Sequence, residues 1–223
     1  MNNVPVITID GPAGSGKGTI AQRIAKTLNW TILDSGALYR LVAYSALQNG
    51  CSFDNEAGLA EIARNLPVTF EAQENNIVLA ILNGEDVSKA IRSEEAGEAA
   101  SKVAAVNSVR EALLERQRAF AHLPGLVADG RDMGTVVFPK ASLKIYLTAS
   151  AEVRAQRRLK QLKDHDLNAT LARLISDIQE RDARDMNREH APLRPAEDAY
   201  EIDTSNLSID EVVVKILSLY NSL

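Results

Sequence analysis

Five short runs of apolar residues are spaced along the chain, and segments with a helical pattern lie between them. Apolar runs of this length, bounded by turn residues, are typical of buried strands. Strands that alternate with helices form a parallel sheet whose faces are covered by those helices. The pattern therefore predicts an α/β fold with a parallel sheet. Its predicted strands cover residues 4–9, 31–33, 126–128, 143–147 and 200–202.

In the segments between the strands, apolar residues recur every three or four positions, which is the spacing of an amphipathic helix. Asn168 and Ser208 precede two of these segments and have the short polar side chains that favour a helix N-cap. The predicted helices cover residues 17–28, 37–48, 94–106, 109–122, 151–163, 168–189 and 209–219.

The regular alternation stops between residues 57 and 87. Residues 68–71 and 77–82 alternate like strands around the polar segment 73–76, which predicts an antiparallel hairpin inserted into the α/β core. Such insertions often cover a second substrate. We therefore expect a core of residues 1–56 and 96–223, with a short lid near 155–168, and an inserted domain of residues 57–95.

A glycine-rich segment connects the first predicted strand to the first predicted helix. Gly11 and Gly16 have the spacing of a P-loop, whose backbone N–H groups bind phosphate oxygens while the lysine adds a positive charge. The alternative is a glycine-rich turn without a ligand, but here strand, glycines, lysine and helix occur together. The sequence predicts a nucleoside triphosphate site. Its residues are Gly11, Pro12, Ala13, Gly14, Ser15, Gly16, Lys17, Gly18 and Thr19.

The residue after Lys17 narrows the class of protein. P-loops usually have Ser or Thr at this position, where the hydroxyl binds magnesium. Here Gly18 takes that position and Thr19 follows. The order Gly-Lys-Gly-Thr resembles the nucleoside monophosphate kinases more than the GTPases, and the Asn-Lys-x-Asp tetrapeptide that binds guanine does not occur in the sequence.

Polar residues follow two of the predicted strands, at the sheet edge where ligands of parallel sheets bind. Ser35 and Arg40 follow the second strand and could bind one phosphate together, although a helix N-cap beside a surface arginine is the alternative. Asp129 ends the strand at 126–128 and is predicted to orient magnesium, through water. Arg131 and Asp132 come next, and a loop salt bridge is their alternative interpretation.

Two basic clusters lie in the last third of the chain. Arg181, Asp185 and Arg188 share one face of a predicted helix. Arg154 and Arg157 belong to a second cluster that could close over the triphosphate. Exposed helix faces commonly carry such charges, so these spacings alone leave a solvated surface as the alternative.

The composition is that of an ordinary globular protein of 223 residues, with 45% hydrophobic and 25% charged residues. A net charge of −5 argues against nucleic acid and anionic membranes as partners. Cys51 is the only cysteine, and no basic residue precedes Lys17, so we expect no secretory signal and a cytoplasmic location.

Three long segments together resemble the bacterial cytidylate kinases, and the resemblance extends over nearly the whole chain. They are Asp-Ser-Gly-Ala-Leu-Tyr-Arg at 34–40, Ala-Asp-Gly-Arg-Asp-Met-Gly-Thr-Val-Val-Phe-Pro at 128–139, and Glu-Arg-Asp-Ala-Arg-Asp-Met-Asn-Arg at 180–188. The resemblance implies transfer of the γ-phosphoryl group of ATP to CMP or dCMP, with Mg²⁺ required. It also implies that residues 57–95 form a CMP-binding domain and that the protein is a monomer.

The same resemblance implies a role for each matching residue. The loop residues and Arg157 would bind ATP, with Thr19 and Asp129 at the metal. Lys17, Arg131, Arg181 and Arg188 would act on the transferring phosphate. Ser35, Arg40 and Arg131 would hold the acceptor phosphate, and Ser101, Arg110 and Asp132 would read the base. Asp185 would hold the sugar, and Arg188 would also contact the substrate.

Hydrogen-bond chemistry makes this base-reading set reasonable, because cytosine has an amino donor at C4 where uracil has an acceptor. A carboxylate and a hydroxyl can accept from the amino group, and an arginine can donate to the acceptors of the base. Two other functions stay open. One is a related kinase with another small acceptor, such as UMP, AMP, dTMP or shikimate, and the other is an ATP-dependent binding module without an acceptor.

Overall fold

The computed structural model describes residues 4–72, 78–163 and 170–223. The strands are β1 (Val6–Asp10), β2 (Thr31–Asp34), β3 (Val68–Ala72), β4 (Val78–Leu82), β5 (Glu85–Asp86), β6 (Leu126–Gly130), β7 (Leu143–Thr148) and β8 (Tyr200–Asp203). The α-helices are α1 (Lys17–Leu28), α2 (Ser35–Gln48), α3 (Glu56–Arg64), α4 (Glu94–Val103), α5 (Asn107–Arg118), α6 (Ala151–Lys163), α7 (Leu171–Met186) and α8 (Ile209–Asn221).

All five predicted strands are confirmed, and they form one parallel sheet in the order β2-β6-β1-β7-β8. β1 is the central strand, and it pairs with β6 on one side and with β7 on the other. The carboxyl end of β1 therefore lies between the ends of two other strands, and the segment that follows it starts at the middle of the sheet edge.

The two faces of this sheet differ in chemistry. Side chains alternate between the faces along each strand. Ile7 and Ile9 of β1 belong to an apolar core that includes residues of α1 and α8. The other face carries Thr8, Asp10 and Lys144, which are all buried, and Thr8 is paired in register with Lys144. One face is thus a hydrophobic core, and the other has buried polar and charged groups.

The chain divides into two compact units, of which Met1–Asp34 with Gln117–Leu223 is the first and Ser35–Arg116 is the second. The parallel sheet belongs to the first unit. The second unit contains α2 to α5 and a separate antiparallel sheet of β3, β4 and β5. The predicted hairpin is confirmed by the pairing of β3 with β4, whereas its turn at 73–76 lies outside the described residues.

Helix boundaries follow local capping chemistry. The predicted N-cap Ser208 is confirmed, because its side chain and that of Glu211 form a reciprocal capping box at the start of α8. The prediction for α7 is wrong at its start, since Thr170 is the N-cap and accepts from the Arg173 N–H. Asn168 itself lies outside the described residues. The helix α3 was not predicted.

No helix in the described part of the chain combines the length and the apolar character that a membrane span requires.

Gly11 is a position where the fold depends directly on glycine. Its φ angle is 151°, and a Cβ atom there would lie 2.3 Å from the carbonyl oxygen of Leu147 in β7. Because that oxygen belongs to the backbone of a strand, it cannot move aside. We expect Gly11→Ala to lower the free energy of unfolding by about 3 kcal/mol in urea denaturation.

Gly50→Ala is the matched control for this prediction. Gly50 also has a positive φ angle, of 64°, but an added Cβ would meet no atom within 4 Å. Gly50→Ala therefore measures the backbone strain without the collision, and it should lower the free energy of unfolding by about 1 kcal/mol. Equal losses in the two variants would contradict the collision with β7.

Candidate active site

The glycine-rich loop between β1 and α1 is arranged to bind an anion. Gly14 and Gly16 have positive φ angles, of 77° and 88°, and Gly16 is the N-cap of α1. No side chain in the described part of the chain caps this helix end, and the first turn of α1 contains no acidic residue. The backbone N–H groups and the positive end of the helix dipole are therefore directed at the loop, where they favour negative charge.

A buried hydroxyl in the same loop supports a polar ligand. The Oγ atom of Ser15 is buried, and the described residues offer it no hydrogen-bond partner. A buried hydroxyl without a partner costs free energy, and a bound phosphate oxygen would remove this cost. The Ser15 carbonyl accepts from Thr204 Oγ1 at 3.2 Å. The residue that follows β8 therefore holds the backbone of Ser15 in place.

Lys17 lies among charges of both signs. Its Nζ atom donates to the Pro12 carbonyl at 3.3 Å, which holds the ammonium group against the loop. Burial, together with the positive charges of Arg131 and Arg181, lowers the pKa of Lys17 to about 8, while the carboxylates of Asp129 and Asp34 oppose this shift. The ammonium group therefore stays protonated at neutral pH, as a group for polyphosphate binding should be.

The predicted helix face on α7 is not a solvated surface. Asp185 is 1% exposed, accepts a hydrogen bond from Arg131 Nε at 2.9 Å and pairs with Arg188. Burial raises the pKa of Asp185, but the guanidinium groups of Arg131, Arg188 and Arg181 outweigh burial and hold this pKa below its usual value. Arg131 follows β6 directly, so the structure brings together residues that are 54 positions apart in the sequence.

We name Arg131, Arg181, Asp185 and Arg188 the arginine cluster. Arg131 follows Gly130 of β6, which is paired in register with Asp10 at the end of β1, so the cluster begins beside the phosphate loop. The charges of Arg131 and Arg181 contribute to the lowered pKa of Lys17. Three guanidinium groups around one carboxylate leave a net positive charge beside this loop. Positioned charges of this kind are what phosphoryl transfer needs, because its transition state carries negative charge on the phosphate oxygens.

Asp129 lies against the start of α1. A Cβ atom at Gly18 would be 3.2 Å from Asp129 Oδ2, which accounts for a glycine at the position where most P-loops have Ser or Thr. A buried carboxylate beside the first turn of α1, which also contains Thr19, is the oxygen donor chemistry that Mg²⁺ prefers. Among the described residues there is no group of three or more Asp, Glu, His or Cys side chains that could hold an ion without a nucleotide.

The two arginines of the second basic cluster form hydrogen bonds with other parts of the protein. Arg157 donates to Thr204, to its hydroxyl at 3.2 Å and to its carbonyl at 2.5 Å. Arg154 forms a bidentate ion pair with Asp182 of α7, at 3.1 and 2.5 Å, and also donates to the Ala13 carbonyl of the phosphate loop at 3.1 Å. These bonds connect α6 to α7 and to the loop. The end of the predicted lid, residues 164–168, lies outside the described residues.

Four of the predicted acceptor residues belong to the second unit, where each is held by its own surroundings. Ser35 is buried as the first residue of α2, and Ser101 is buried in α4. Arg40 donates to the Ile91 carbonyl at 2.8 Å. Arg110 is buried, donates to the Ala104 carbonyl at 3.1 Å and lies 5.7 Å over the ring of Tyr39. A buried arginine oriented in this way costs little to reorganise when it binds a polar group.

Two features of the site were missed by sequence reasoning. Asp182 pairs with Arg154, although it was not singled out on α7. Asp10 ends β1 directly before Gly11, and its carboxylate accepts hydrogen bonds from the Met133 and Gly134 N–H groups. The signal for Asp10 was the alternation of Thr8 and Asp10 with Ile7 and Ile9, since an entirely apolar strand would have no polar face.

Comparisons with known proteins agree with this arrangement. Residues 7–222 match the cytidylate kinase family. A cytidylate kinase of Shewanella loihica is 58% identical over 96% of this chain and 93% of its own. That of Aliivibrio salmonicida is 57% identical over 98% of this chain and 97% of its own. A solved structure of an uncharacterised protein from Eubacterium ventriosum covers 98% of this chain and 99% of its own with a TM-score of 0.53, which at 10% identity concerns the fold alone.

The arginine cluster generates a stability prediction. Asp185→Asn removes the carboxylate and leaves buried guanidinium groups uncompensated, so we expect the free energy of unfolding at pH 7 to fall by about 3 kcal/mol. Because the pKa of Asp185 is lowered in the folded state, its contribution is complete above its usual pKa of 3.8 and is lost as the pH falls further. The difference between wild type and variant should therefore shrink below pH 4.

Asp177→Asn is the control on the same helix. Asp177 pairs with Arg173 at 3.9 Å, but its side chain is 60% exposed. Its substitution should change the free energy of unfolding by less than about 0.5 kcal/mol. Urea denaturation at pH 7 and at pH 3.5 measures both variants. An Asp185→Asn protein as stable as Asp177→Asn at pH 7 would contradict the role of Asp185 in charge compensation.

Proposed function

The chain belongs to the cytidylate kinase family, and from this membership we propose that it transfers the γ-phosphoryl group of ATP to CMP or dCMP. The products are ADP and the corresponding diphosphate. The observation that supports this proposal best is the position of the arginine cluster, which begins directly after β6, beside the end of β1 that leads into the phosphate loop. A second set of cations next to a triphosphate loop suits a second phosphate, which a protein that only binds ATP does not need.

The reaction needs positioning more than acid–base chemistry. A phosphate oxygen of CMP attacks the γ-phosphorus, and the bond from that phosphorus to the bridging oxygen breaks as ADP leaves. The acceptor phosphate is largely ionised near pH 7, so no side chain has to remove a proton from it. The loop N–H groups and Lys17 hold the β- and γ-phosphates. Arg131, Arg181 and Arg188 neutralise the charge that spreads over the transferring group.

Mg²⁺ belongs to the same proposal. Thr19 in the first turn of α1 and the Asp129 carboxylate beside Gly18 would hold the ion, with Asp129 acting through water. The chemistry supplied there would be neutralisation of negative charge on the phosphate oxygens. The short distance between Gly18 and Asp129 supports this assignment, because it leaves the carboxylate next to the phosphate loop.

Asp132 is proposed to accept from the amino group of cytosine. It follows Arg131 directly and is 2% exposed, so its interactions are largely shielded from water. Uracil would present an oxygen to this carboxylate, and a buried acceptor facing another acceptor is costly. Ser35, Arg40, Ser101 and Arg110, which lie in the second unit, stay predicted contributors to acceptor binding, as Arg157 does for ATP.

The partners follow from the same chemistry. We propose small nucleotides as the substrates and a monomer as the working form, without nucleic acid or membrane partners. A single cysteine is compatible with a reducing compartment, which supports the cytoplasm as the location.

A coupled ADP-release assay tests the function. ATP and Mg²⁺ are held constant, and CMP, dCMP, UMP, AMP, GMP and dTMP are offered separately at equal concentration. We expect strong turnover with CMP and dCMP and little with the others. Turnover with a different nucleotide would still show a kinase, but the proposed acceptor would be wrong. No turnover with any of the six would favour a non-nucleotide acceptor or a binding module.

Lys17→Ala provides the loss-of-function comparison in this assay. It removes the ammonium group at the transferring phosphate, and we expect turnover with CMP to fall by about a thousandfold or more. Circular dichroism should show an unchanged fold, since the side chain contributes little to the core. Normal turnover by the folded variant would contradict the proposed role of the loop.

Asp132→Ala tests base recognition. The ratio of kcat/KM for CMP to kcat/KM for UMP should fall by about tenfold or more, because the acceptor for the cytosine amino group is gone. The maximal rate with CMP should fall less than this ratio does. An unchanged CMP to UMP ratio would remove Asp132 from the base-reading set.

A further inference from the structure

Asp10 connects the phosphate loop to the segment that follows β6. It is the last residue of β1, directly before Gly11, and it is 4% exposed. Its Oδ1 atom accepts from the Met133 N–H at 2.9 Å, and its Oδ2 atom accepts from the Gly134 N–H at 2.8 Å. One carboxylate therefore binds two consecutive backbone amides of another segment.

These two amides begin a turn of π-helix, Met133–Val137. The later amides of the turn bond within it, since Val136 and Val137 donate to the Asp132 carbonyl at 2.9 and 3.2 Å. The first amides of a helical turn have no partner inside the turn and need an external acceptor. The Asp10 carboxylate supplies it and so caps the turn that follows Arg131 and Asp132.

Contact between β1 and the turn is close, but only one residue of β1 bonds to it. A Cβ atom at Gly134 would lie 2.9 Å from Thr8 Oγ1 and 3.4 Å from Asp10 Oδ2. Thr8 is fully buried, and within the described residues its hydroxyl makes no hydrogen bond. Thr8 and Asp10 therefore both lie next to Gly134. Asp10 accepts a hydrogen bond from the Gly134 N–H, and Thr8 does not bond to it.

The position of Asp10 is costly for the fold. Burial raises the pKa of Asp10 to about 7, the two backbone N–H groups oppose this shift, and the carboxylates of Asp132 and Asp129 add to it. A buried group next to two like charges stabilises a protein poorly. We therefore expect this carboxylate to contribute little to the free energy of unfolding. Its main effect is to fix the geometry of the turn.

We propose that Asp10 is a positioning residue for phosphoryl transfer, which fixes Arg131 and Asp132 relative to the phosphate loop by binding the Met133 and Gly134 amides. Asp10 and Gly11 are adjacent in the chain, as are Asp132 and Met133, so the two hydrogen bonds join the donor loop to the acceptor segment over a very short path. This role rests on the proposed function, because Arg131 and Asp132 are assigned to the acceptor there. A misplacement of about 1 Å between reacting groups can lower the rate about a hundredfold.

Asp10→Asn tests this role with almost no change in shape. An amide has one acceptor oxygen, so its NH₂ group must face one of the two backbone N–H groups. With CMP as the acceptor, we expect KM for CMP to rise about tenfold and kcat to fall about tenfold, since a hydrogen bond to a charged group is lost. The dissociation constant for ATP, measured without an acceptor, should stay within about twofold, because the loop N–H groups are unchanged.

Thr8→Val is the matched control, since it changes a buried polar residue beside the same glycine and removes no hydrogen bond. Its kinetic constants should stay within about twofold of wild type. Gly134→Ala is the second variant, in case Asp10→Asn folds poorly. It carries no change of charge, but its methyl group pushes the turn away from β1, and it should raise KM for CMP in the same way.

The possible outcomes separate the two proposals. If wild-type protein does not phosphorylate CMP, the proposed function and the role of Asp10 fail together. If wild type is active and Asp10→Asn behaves like Thr8→Val, only the role of Asp10 is overturned. Equal weakening of ATP and CMP binding in both Asp10→Asn and Gly134→Ala would also overturn it, because general loosening would then explain the loss. A rise in KM for CMP without a change in the dissociation constant for ATP would support the role of Asp10, as would a lower ratio of kcat/KM for CMP to kcat/KM for UMP.

Discussion

The phosphate-binding region has to hold several positive charges together before any phosphate is present. Arg131, Arg181 and Arg188 surround one carboxylate and repel one another. Burial, together with the positive charges of Arg131 and Arg181, lowers the pKa of Lys17 to about 8. Asp185 makes this arrangement possible, because its buried carboxylate bonds to Arg131 and Arg188 while its pKa stays below the usual value. The balance leaves an excess of positive charge that a polyphosphate can neutralise.

The parallel sheet places these charges. β1 is central, so the loop after it lies between the ends of β6 and β7, and Arg131 follows β6 directly. The apolar face of the sheet packs on α1 and α8 and supports the loop. The polar face of β1 carries Asp10, which binds the turn after Asp132. One strand thus leads into the phosphate loop and, through Asp10, binds the segment that carries Arg131 and Asp132.

Local patterns predicted the parts of this structure that local chemistry determines. The spacing of Gly11, Gly16 and Lys17 was enough to predict the glycine-rich loop between β1 and α1. The apolar runs were enough to predict the five strands of the parallel sheet. The contact of Arg131 with Asp185 joins residues 54 positions apart, so their helix spacing left a solvated face equally open. The N-cap of α7 is Thr170 rather than Asn168, and both residue types can cap. The role of Asp10 was missed because β1 was treated as uniformly apolar.

The fate of the γ-phosphoryl group tests the central claim most directly. ATP labelled at the γ-phosphorus is incubated with the protein, Mg²⁺ and CMP, and the labelled products are separated and identified. Our account predicts that the label moves to the β-position of CDP, with very little in inorganic phosphate, because the positive charges hold an acceptor phosphate rather than water. Label found mainly in inorganic phosphate, or retained in ATP while CMP is bound, would contradict it.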